Sequence, residues 1–362
     1  MLFSIIIPAY NAASSLPETL SSIYQQTYDG YEIVLINDGS ADATESVCKV
    51  FCESHNNTHY VRQNNMGVYE ARRKGAEISA GDYLVFVDAD DSLRFDTLSI
   101  LAREIDKCNP DIICFSYTRN PDYSNDPFIN PALPSGIYEG DDLAEVRKCL
   151  ARGKLNSIWG KAIKRNCLID DLSNTDTKRI DFAEDFLQMI PIVDSARSVL
   201  QISDALYYYN CQNGQSATHS YKEKQLSDLT FVTSSLVKIA ARWGEETERL
   251  AWKTRTEQYL YLLSINELSD NNETKKRNFV SISEALFNPS IKADVPCSTY
   301  RPDSYLLFLA AKNKHYLLSR VVIRCCEQLK LLILKISLIG NFIRTLPTFI
   351  RTCTDECGNP IP

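Results

Sequence analysis

The chain has 362 residues, 44% of them hydrophobic, which is enough for two modest domains or for one domain with a large appendage. Its formal net charge of −7 argues against a general nucleic-acid binder, which would carry a basic surface. The twelve cysteines include no CxxC pair, which favours reduced cytosolic thiols over a zinc site or a disulfide framework. The first residues, MLFSIIIPAYN, lack a basic segment and have only a short apolar run, so we interpret them as a strand and not a signal peptide.

Short apolar runs alternate with helical patterns through the first third of the chain. The predicted strands are residues 3–7, 33–36, 60–61 and 83–87. Strands that alternate with helices in this way predict an α/β domain with a mostly parallel sheet. Ligands of such sheets bind beyond the carboxyl ends of the strands, where the polar segments PAYN, DGS and DAD fall.

Three carboxylates follow the last of these strands within four positions: Asp88, Asp90 and Asp91. Carboxylates this close repel one another, so at neutral pH they need a cation or shifted pKa values. Hard oxygen ligands suit Mg²⁺ or Mn²⁺, which usually bind together with a substrate phosphate. The sequence therefore predicts a metal site here, with a solvated turn as the alternative.

Four blocks carry a resemblance to a known family: IIIPAYN, INDGSADAT, NNMGVYEARRKGAEISA and GDYLVFVDADD. In order and spacing they resemble the nucleotide-binding half of the family 2 glycosyltransferases, which have the GT-A fold. The likeness covers about residues 3–95. Two departures stand out: the segment 12–16 lacks the family's acidic residue, and the usual Arg-Asn pair is Arg72-Arg73.

The resemblance implies a nucleotide-sugar donor, UDP-linked, held with Mn²⁺ or Mg²⁺. The implied nucleotide-binding residues are Pro8, Ala9, Tyr10, Asn11, Asp38, Gly67, Arg72, Asp88 and Ala89. Asp38 would accept the uracil imide N–H, and Arg72 would lie near the phosphates. Asp90 would bind the metal, and Asp91 would support the turn or face the donor sugar. The alternatives are a helix cap for Asp38 and a solvated helix face for Arg72.

The middle of the chain matches further family elements. A proline-rich loop over residues 119–136 marks the change from a nucleotide half to an acceptor half. Trp159 and Lys161 match the family's Trp-x-Lys near the acceptor or donor sugar, with core packing as the alternative for the tryptophan. Glu184-Asp185, at the start of a predicted helix, match the xED element, whose Asp is the catalytic base.

In that element Glu184 would orient Asp185 or the acceptor, and capping by the helix dipole is the alternative for both carboxylates. His219 follows a tyrosine-rich strand, where many GT-A enzymes carry a metal-contacting histidine. A surface histidine is the other interpretation of His219.

The last third of the chain has a helical character, and its tail is basic. Residues 311–352 hold eight basic residues and one acidic residue among many apolar ones, with no apolar run long enough to span a membrane. This pattern predicts peripheral binding to a membrane surface. A helix docked on the catalytic domain and an oligomer contact are the alternatives.

We therefore predict a GT-A α/β fold with a nucleotide-sugar-binding half (1–118), a mixed acceptor-binding half (119–220) and a helical C-terminal region (221–362). The predicted activity is inverting transfer of a sugar to a hydroxyl of a glycan or lipid-linked oligosaccharide, at the cytoplasmic face of the cell membrane. A sugar nucleotidyltransferase is an alternative, but PAYNAASS lacks its Gly-rich, Arg-containing loop. A non-enzymatic membrane-associated protein with a decayed transferase domain is another, and the intact Asp38, Asp88, Asp90 and Asp185 argue against it.

Overall fold

The structure is a computed structural model that describes residues 1–124, 126, 129, 131–168, 179–211, 221–267, 271–287 and 302–325. The chain divides into two compact units. The first unit comprises residues 1–213 and 235–248, and the second comprises residues 214–234 and 249–362. The sheet and every described residue of the predicted catalytic site belong to the first unit.

The first unit is built on a mixed sheet with nine strands in the described part of the chain. They are β1 (Phe3–Ala9), β2 (Tyr31–Asn37), β3 (Thr58–Arg62), β4 (Tyr83–Phe86), β5 (Ser92–Leu93), β6 (Ile112–Thr118), β7 (Gly136–Glu139), β8 (Lys161–Lys164) and β9 (Ser198–Tyr208). Their order is β3-β2-β1-β4-β8-β6-β9-β5, and β7 also pairs with β9.

The strand directions divide the sheet into two parts. The pairs β1·β2, β1·β4 and β2·β3 are parallel, whereas β8 runs antiparallel to both β4 and β6. β9 is parallel to β6 and antiparallel to β5 and β7. The predicted α/β fold with a mostly parallel nucleotide-binding part is therefore confirmed.

Continuous apolar runs explain why the central strands form where the sequence predicts them. Every residue of β1, β2 and β4 is buried. Such runs are typical of parallel strands that are covered on both faces, since neither face is left to water. The polar segments that end these strands consequently mark the edge at which side chains can reach solvent.

Six helices of the first unit follow the strands. They are α1 (Leu16–Tyr24), α2 (Thr44–Ser54), α3 (Val68–Ile78), α4 (Thr97–Cys108), α5 (Leu143–Ala151) and α6 (Glu184–Ser195). Helix α3 lies very close to β1, because a Cβ atom added at Gly75 would be 2.4 Å from Cγ2 of Ile6. This close packing brings the buried face of α3, which includes Arg72, against the sheet.

The C-terminal region is helical, as predicted. Its helices are α7 (Glu223–Ala240), α8 (Glu245–Asn266), α9 (Asn272–Leu286) and α10 (Pro302–Lys312), and residues 316–325 are helical as well. Within the second unit, the side chain of Asn278 in α9 donates a hydrogen bond to Asn266 in α8 at 3.0 Å. In the described ranges, no helix combines the length and the apolar character that crossing a membrane requires.

Candidate active site

The loops after β1 and β2 are tied together at the carboxyl edge of the sheet. The backbone N–H of Asn11 donates to Oγ of Ser40 at 3.0 Å, and the N–H of Ala41 donates to Oδ1 of Asn11 at 2.8 Å. Tyr10 projects from this junction with 53% of its surface exposed. Residues 8–10 and Asp38, which are predicted to contact the nucleoside, therefore lie side by side, and the N–H of Asp38 donates to the backbone oxygen of Ala9 at 2.9 Å.

Asp38 fastens the loop that leads into α3. Its Oδ1 accepts hydrogen bonds from the side chain of Gln63 (2.8 Å) and the N–H of Met66 (2.9 Å), and its Oδ2 accepts one from the N–H of Gly67 (2.8 Å). Asp38 is only 4% exposed. A carboxylate has about four lone-pair positions, so Asp38 retains the capacity to accept one further donor. Its contact with a nucleobase stays a prediction.

Arg72 joins the ends of two distant segments. Its Nη2 donates to Oδ1 of Asp88 at 2.8 Å, and its Nη1 forms a hydrogen-bonded ion pair with Oδ1 of Asp185. The same Nη1 is 3.8 Å from Oε1 of Glu184. We call these four residues the Arg72 cluster: Arg72, Asp88, Glu184 and Asp185. The solvated helix face considered for Arg72 is wrong, because this residue is 2% exposed.

The carboxylates of the Arg72 cluster are mostly buried but remain partly accessible, whereas the guanidinium is almost fully buried. The side chains of Asp88, Glu184 and Asp185 are 29%, 20% and 21% exposed, against 3% for Arg72. Burial acts to lower the pKa of Arg72, but the carboxylates outweigh it and raise that pKa, so the guanidinium stays charged. A fixed cation therefore holds a group of partly accessible carboxylates.

Helix α6 positions Asp185 in its first turn. The residue before the helix, Ala183, has a φ of 58°, and the chain turns there to bring Glu184 and Asp185 towards α3. Oδ2 of Asp185 accepts a hydrogen bond from the N–H of Ile158 at 3.3 Å. One oxygen of this carboxylate is thus held by Arg72 and the other by a backbone donor.

The carboxyl groups of α6 have raised pKa values. Burial, followed by the charge of Asp185, raises the pKa of Glu184 to about 7. Burial also raises the pKa of Asp185, while Arg72 opposes that change. Burial therefore favours the protonated form of Glu184, whereas the Arg72 ion pair favours the ionised form of Asp185.

The three carboxylates after β4 have different surroundings. Asp91 is 2% exposed and accepts hydrogen bonds from the hydroxyl of Tyr207 (2.6 Å) and the N–H of Asn210 (2.8 Å). Burial, with the charge of Asp88, raises the pKa of Asp91 to about 8. These contacts are those of a residue that supports the turn, one of the two roles considered for Asp91. Asp90, by contrast, is exposed.

The residues present fit a metal ion whose coordination is completed by substrate. Asp90 is exposed beside the partly exposed Asp88, and Mg²⁺ is typically bound through one or two carboxylates plus phosphate oxygens. Across the described residues, no three Asp, Glu, His or Cys side chains come together as a protein-only metal site. The other proposed ligand, His219, lies outside the described residues.

Trp159 and Lys161 are buried next to the site. The indole of Trp159 stacks on the rings of Tyr207 and Tyr209, with centroids 5.0 and 5.4 Å apart. Nζ of Lys161 donates to the backbone oxygen of Ser157, and the residue is 4% exposed. The ring contacts are those of core packing, and they hold the segment that presents Ile158 to Asp185. The sugar-binding roles of Trp159 and Lys161 remain predictions.

Comparison with known proteins identifies a family for the first part of the chain. Residues 4–130 match the model of the family described as glycosyl transferase family 2. The chain carries a family 2 glycosyltransferase domain. This assignment confirms the resemblance and favours a glycosyltransferase over a sugar nucleotidyltransferase.

Relatives of this chain include two proteins from Streptococcus pneumoniae and one from Escherichia coli. Glycosyltransferase GlyA is 29% identical over 262 residues, 68% of this chain and 36% of GlyA. Glycosyltransferase GlyG is 24% identical over 76% of this chain and 93% of its own length. The uncharacterized glycosyltransferase YibD is 38% identical over 32% of this chain and 35% of its own length. The chain therefore spans about a third of GlyA and of YibD but nearly all of GlyG.

Solved structures support the GT-A fold of this chain. Residues 1–349 of S. aureus TarS, in a complex with UDP-GlcNAc, have a TM-score of 0.68 and 18% identity. The alignment covers 91% of this chain and 92% of that one. A second crystal structure of TarS 1–349 has a TM-score of 0.65 and 19% identity.

Two contributors to the candidate site were not found from the sequence. The N–H of Ile158 holds Asp185, but a backbone donor has no side-chain signature. The hydroxyl of Tyr207 donates to Asp91, and the only sequence signal for this contact is the tyrosine-rich run 207–209 at the end of β9.

Proposed function

We propose that the chain is an inverting glycosyltransferase that moves a sugar from a UDP-sugar to a hydroxyl of a glycan or lipid-linked oligosaccharide. The observation that carries this proposal is the Arg72 cluster, which joins Asp88 at the end of β4 to Asp185 at the start of α6. A UDP-linked donor is supported by TarS, which shares the fold and was solved with UDP-GlcNAc. Residues 1–118 would bind the donor, and residues 119–220 would bind the acceptor.

In the proposed reaction, Asp185 takes the proton of the acceptor hydroxyl. The hydroxyl oxygen forms a bond to C1 of the donor sugar while the bond from C1 to the diphosphate oxygen breaks, and its electron pair leaves with UDP. A single displacement of this kind inverts the anomeric centre. A positioned base contributes roughly 10²–10⁴-fold to the rate. Asp185 is suited to this role because its carboxylate is partly exposed and is oriented through both oxygens.

We propose that Asp90, with Asp88 beside it and His219 as a further ligand, holds Mn²⁺ or Mg²⁺. When bound, such an ion neutralises the charge of the departing diphosphate. Glu184 would orient the acceptor or Asp185, since it lies against the same guanidinium.

We expect UDP-sugars, and not GDP- or CMP-sugars, to be hydrolysed or transferred in the presence of Mn²⁺. Ligand that binds only the folded chain stabilises it by about 2.7 kcal/mol at a hundredfold excess over Kd, so a thermal-shift panel would also reveal the donor. EDTA should abolish turnover and excess Mn²⁺ should restore it, with Asp90→Asn requiring more Mn²⁺. Turnover that persists in EDTA would contradict the proposed metal, and a panel without any turnover would contradict the proposed activity.

We also propose that the basic tail binds the anionic surface of the cell membrane from the cytoplasm. The described part of this tail supports the proposal, because residues 316–325 expose Leu317 (74%), Leu318 (45%) and Val321 (57%). Arg324 is exposed on the same helix, and the tail is strongly basic in sequence. Residues 326–352 of the predicted tail lie outside the described residues. A basic helix with an exposed apolar face is typical of membrane-surface binding.

We expect the full chain to co-sediment with anionic phosphatidylglycerol vesicles at low salt and much less at high salt, because salt screens the attraction. Burial of one Leu or Val side chain contributes about 1.5–3 kcal/mol, so the double change Leu317→Asn and Val321→Asn should weaken binding at least about tenfold. Val50→Asn is the control, since Val50 is 64% exposed on a helix of the first unit. An equal loss of vesicle binding in the double variant and in Val50→Asn, or no sedimentation of the unaltered chain with vesicles, would refute membrane binding by this tail.

A further inference from the structure

Arg179 lies beside the candidate nucleoside pocket, although no sequence motif marks it. Its Nη1 donates to the backbone oxygen of Asn65 at 3.1 Å, in the loop that Asp38 fastens. Its Nε donates to Oδ1 of Asp181 at 2.8 Å. The segment that carries it packs on Gly67, where an added Cβ would be 3.1 Å from Oδ1 of Asp181. The guanidinium is thus fixed in place by contacts from both sides.

The guanidinium of Arg179 is accessible, unlike that of Arg72. The side chain of Arg179 is 48% exposed, whereas that of Arg72 is 3% exposed beneath its carboxylates. Nη2 of Arg179 has no hydrogen-bond partner among the described residues. An arginine held through two of its nitrogens can therefore offer the third to a ligand with little further loss of side-chain entropy.

The surroundings of Arg179 place it at the nucleoside end of the site. The charges that act on its pKa, after the dominant contact with Asp181, include Asp38 and Tyr10. Both belong to the loops after β2 and β1, and Tyr10 offers an exposed ring on which a base can stack. Nε of Arg179 also lies 3.7 Å from the position of a Cβ added at Gly67, whose N–H donates to Asp38. Arg179 is consequently suited to a nucleobase bound at Asp38 and Tyr10.

We propose that Arg179 determines the base specificity of the donor site by donating a hydrogen bond to a carbonyl oxygen of uracil. Uracil presents a carbonyl next to its imide N–H, so Arg179 and Asp38 together would match an acceptor and a donor on one edge. Cytosine presents an amino donor and a bare ring nitrogen at these positions, which this pair of side chains disfavours. This inference rests on the proposed nucleotide-sugar activity and adds a residue that selects the base.

The test measures the dissociation constants of UDP, UMP and CDP by calorimetry for the full chain and for Arg179→Ala and Arg179→Lys. We expect Arg179→Ala to raise the dissociation constants of UDP and UMP by the same factor, about tenfold or more, because a hydrogen bond from a charged group is lost. Binding of CDP should be weakened much less, so that the preference for UDP over CDP falls. Arg179→Lys keeps the positive charge but lacks the planar guanidinium with its fixed N–H donors, so it should retain only part of the preference.

Three other results would overturn the inference. Loss of UDP affinity without loss of UMP affinity would assign Arg179 to the diphosphate. Equal weakening of UDP and CDP would mean that Arg179 only tethers the loop at Asn65, and unchanged constants would mean that it does not touch the nucleotide. If the unaltered chain binds neither UDP nor UMP, the proposed function itself fails, and this is distinguishable from the failure of Arg179 alone.

Discussion

Asp185→Asn should reduce sugar transfer by roughly 10²–10⁴-fold, because an amide cannot take the proton of the acceptor hydroxyl. The substitution preserves the size of the side chain, and its amide oxygen can still accept from the N–H of Ile158. Arg72 would keep its ion pair with Asp88. Binding of UDP, measured by calorimetry, should therefore stay nearly unchanged while the kcat for transfer falls.

Glu184→Gln is the matched control for this experiment. It removes one carboxylate charge from the same turn of α6, and this carboxylate lies beside the same guanidinium. If Asp185 is the base, Glu184→Gln should lower kcat far less than Asp185→Asn. The reverse order would assign the base to Glu184, and a loss of UDP binding in Asp185→Asn would remove Asp185 from the base role.

Arg72→Gln should destabilise the chain by about 3–5 kcal/mol, the range for breaking a buried ion pair by removing one partner. The loss should also depend on pH. The guanidinium lowers the pKa values of Glu184 and Asp185, so its removal raises them above values that burial has already raised. A carboxyl group with a raised pKa binds its proton more tightly in the folded chain, so stability falls as pH rises from the unfolded-state pKa to the folded-state pKa.

Urea unfolding at several pH values would measure this effect. The difference in the free energy of unfolding between Arg72→Gln and the unaltered chain should be smaller near pH 5 than near pH 8. This range lies between the unfolded-state pKa of a carboxyl group, about 4, and the folded-state pKa, which rises above about 7 in the variant. Lys74→Gln, on the same helix with a 40% exposed side chain, should change stability by at most about 0.5 kcal/mol. A deficit in Arg72→Gln that is small or independent of pH would show that the Arg72 cluster is not held together by this guanidinium.

The parts of the fold that could be predicted are those in which a local pattern decides the structure. The apolar runs of β1, β2 and β4 are buried on both faces, and each ends in polar residues that fall on one edge of the sheet. The start of α6 at Glu184 follows from its apolar periodicity and the two acidic residues of its first turn. Local hydrophobic pattern and strand direction are sufficient for these features.

The pairing within the site could not be predicted, because it depends on contacts between distant segments. Arg72 shares the buried face of α3 with Tyr69 and Gly75, and an arginine on such a face requires a counter-charge. The sequence thus contains a sign that Arg72 is buried, but not that its partners are Asp88 and Asp185. Hydrogen bonds from a backbone N–H, such as that of Ile158, follow from tertiary packing alone.

The position of β8 in the sheet has a consequence for how the protein folds. β8 lies between β4 and β6 although it comes after both in the chain, so the two earlier strands have no shared partner until residues 161–164 have been synthesised. A chain that ends at residue 130, where the family match stops, would leave backbone donors and acceptors of β4 unpaired. The sheet is therefore completed only when β8, from the segment beyond residue 130, pairs with both β4 and β6.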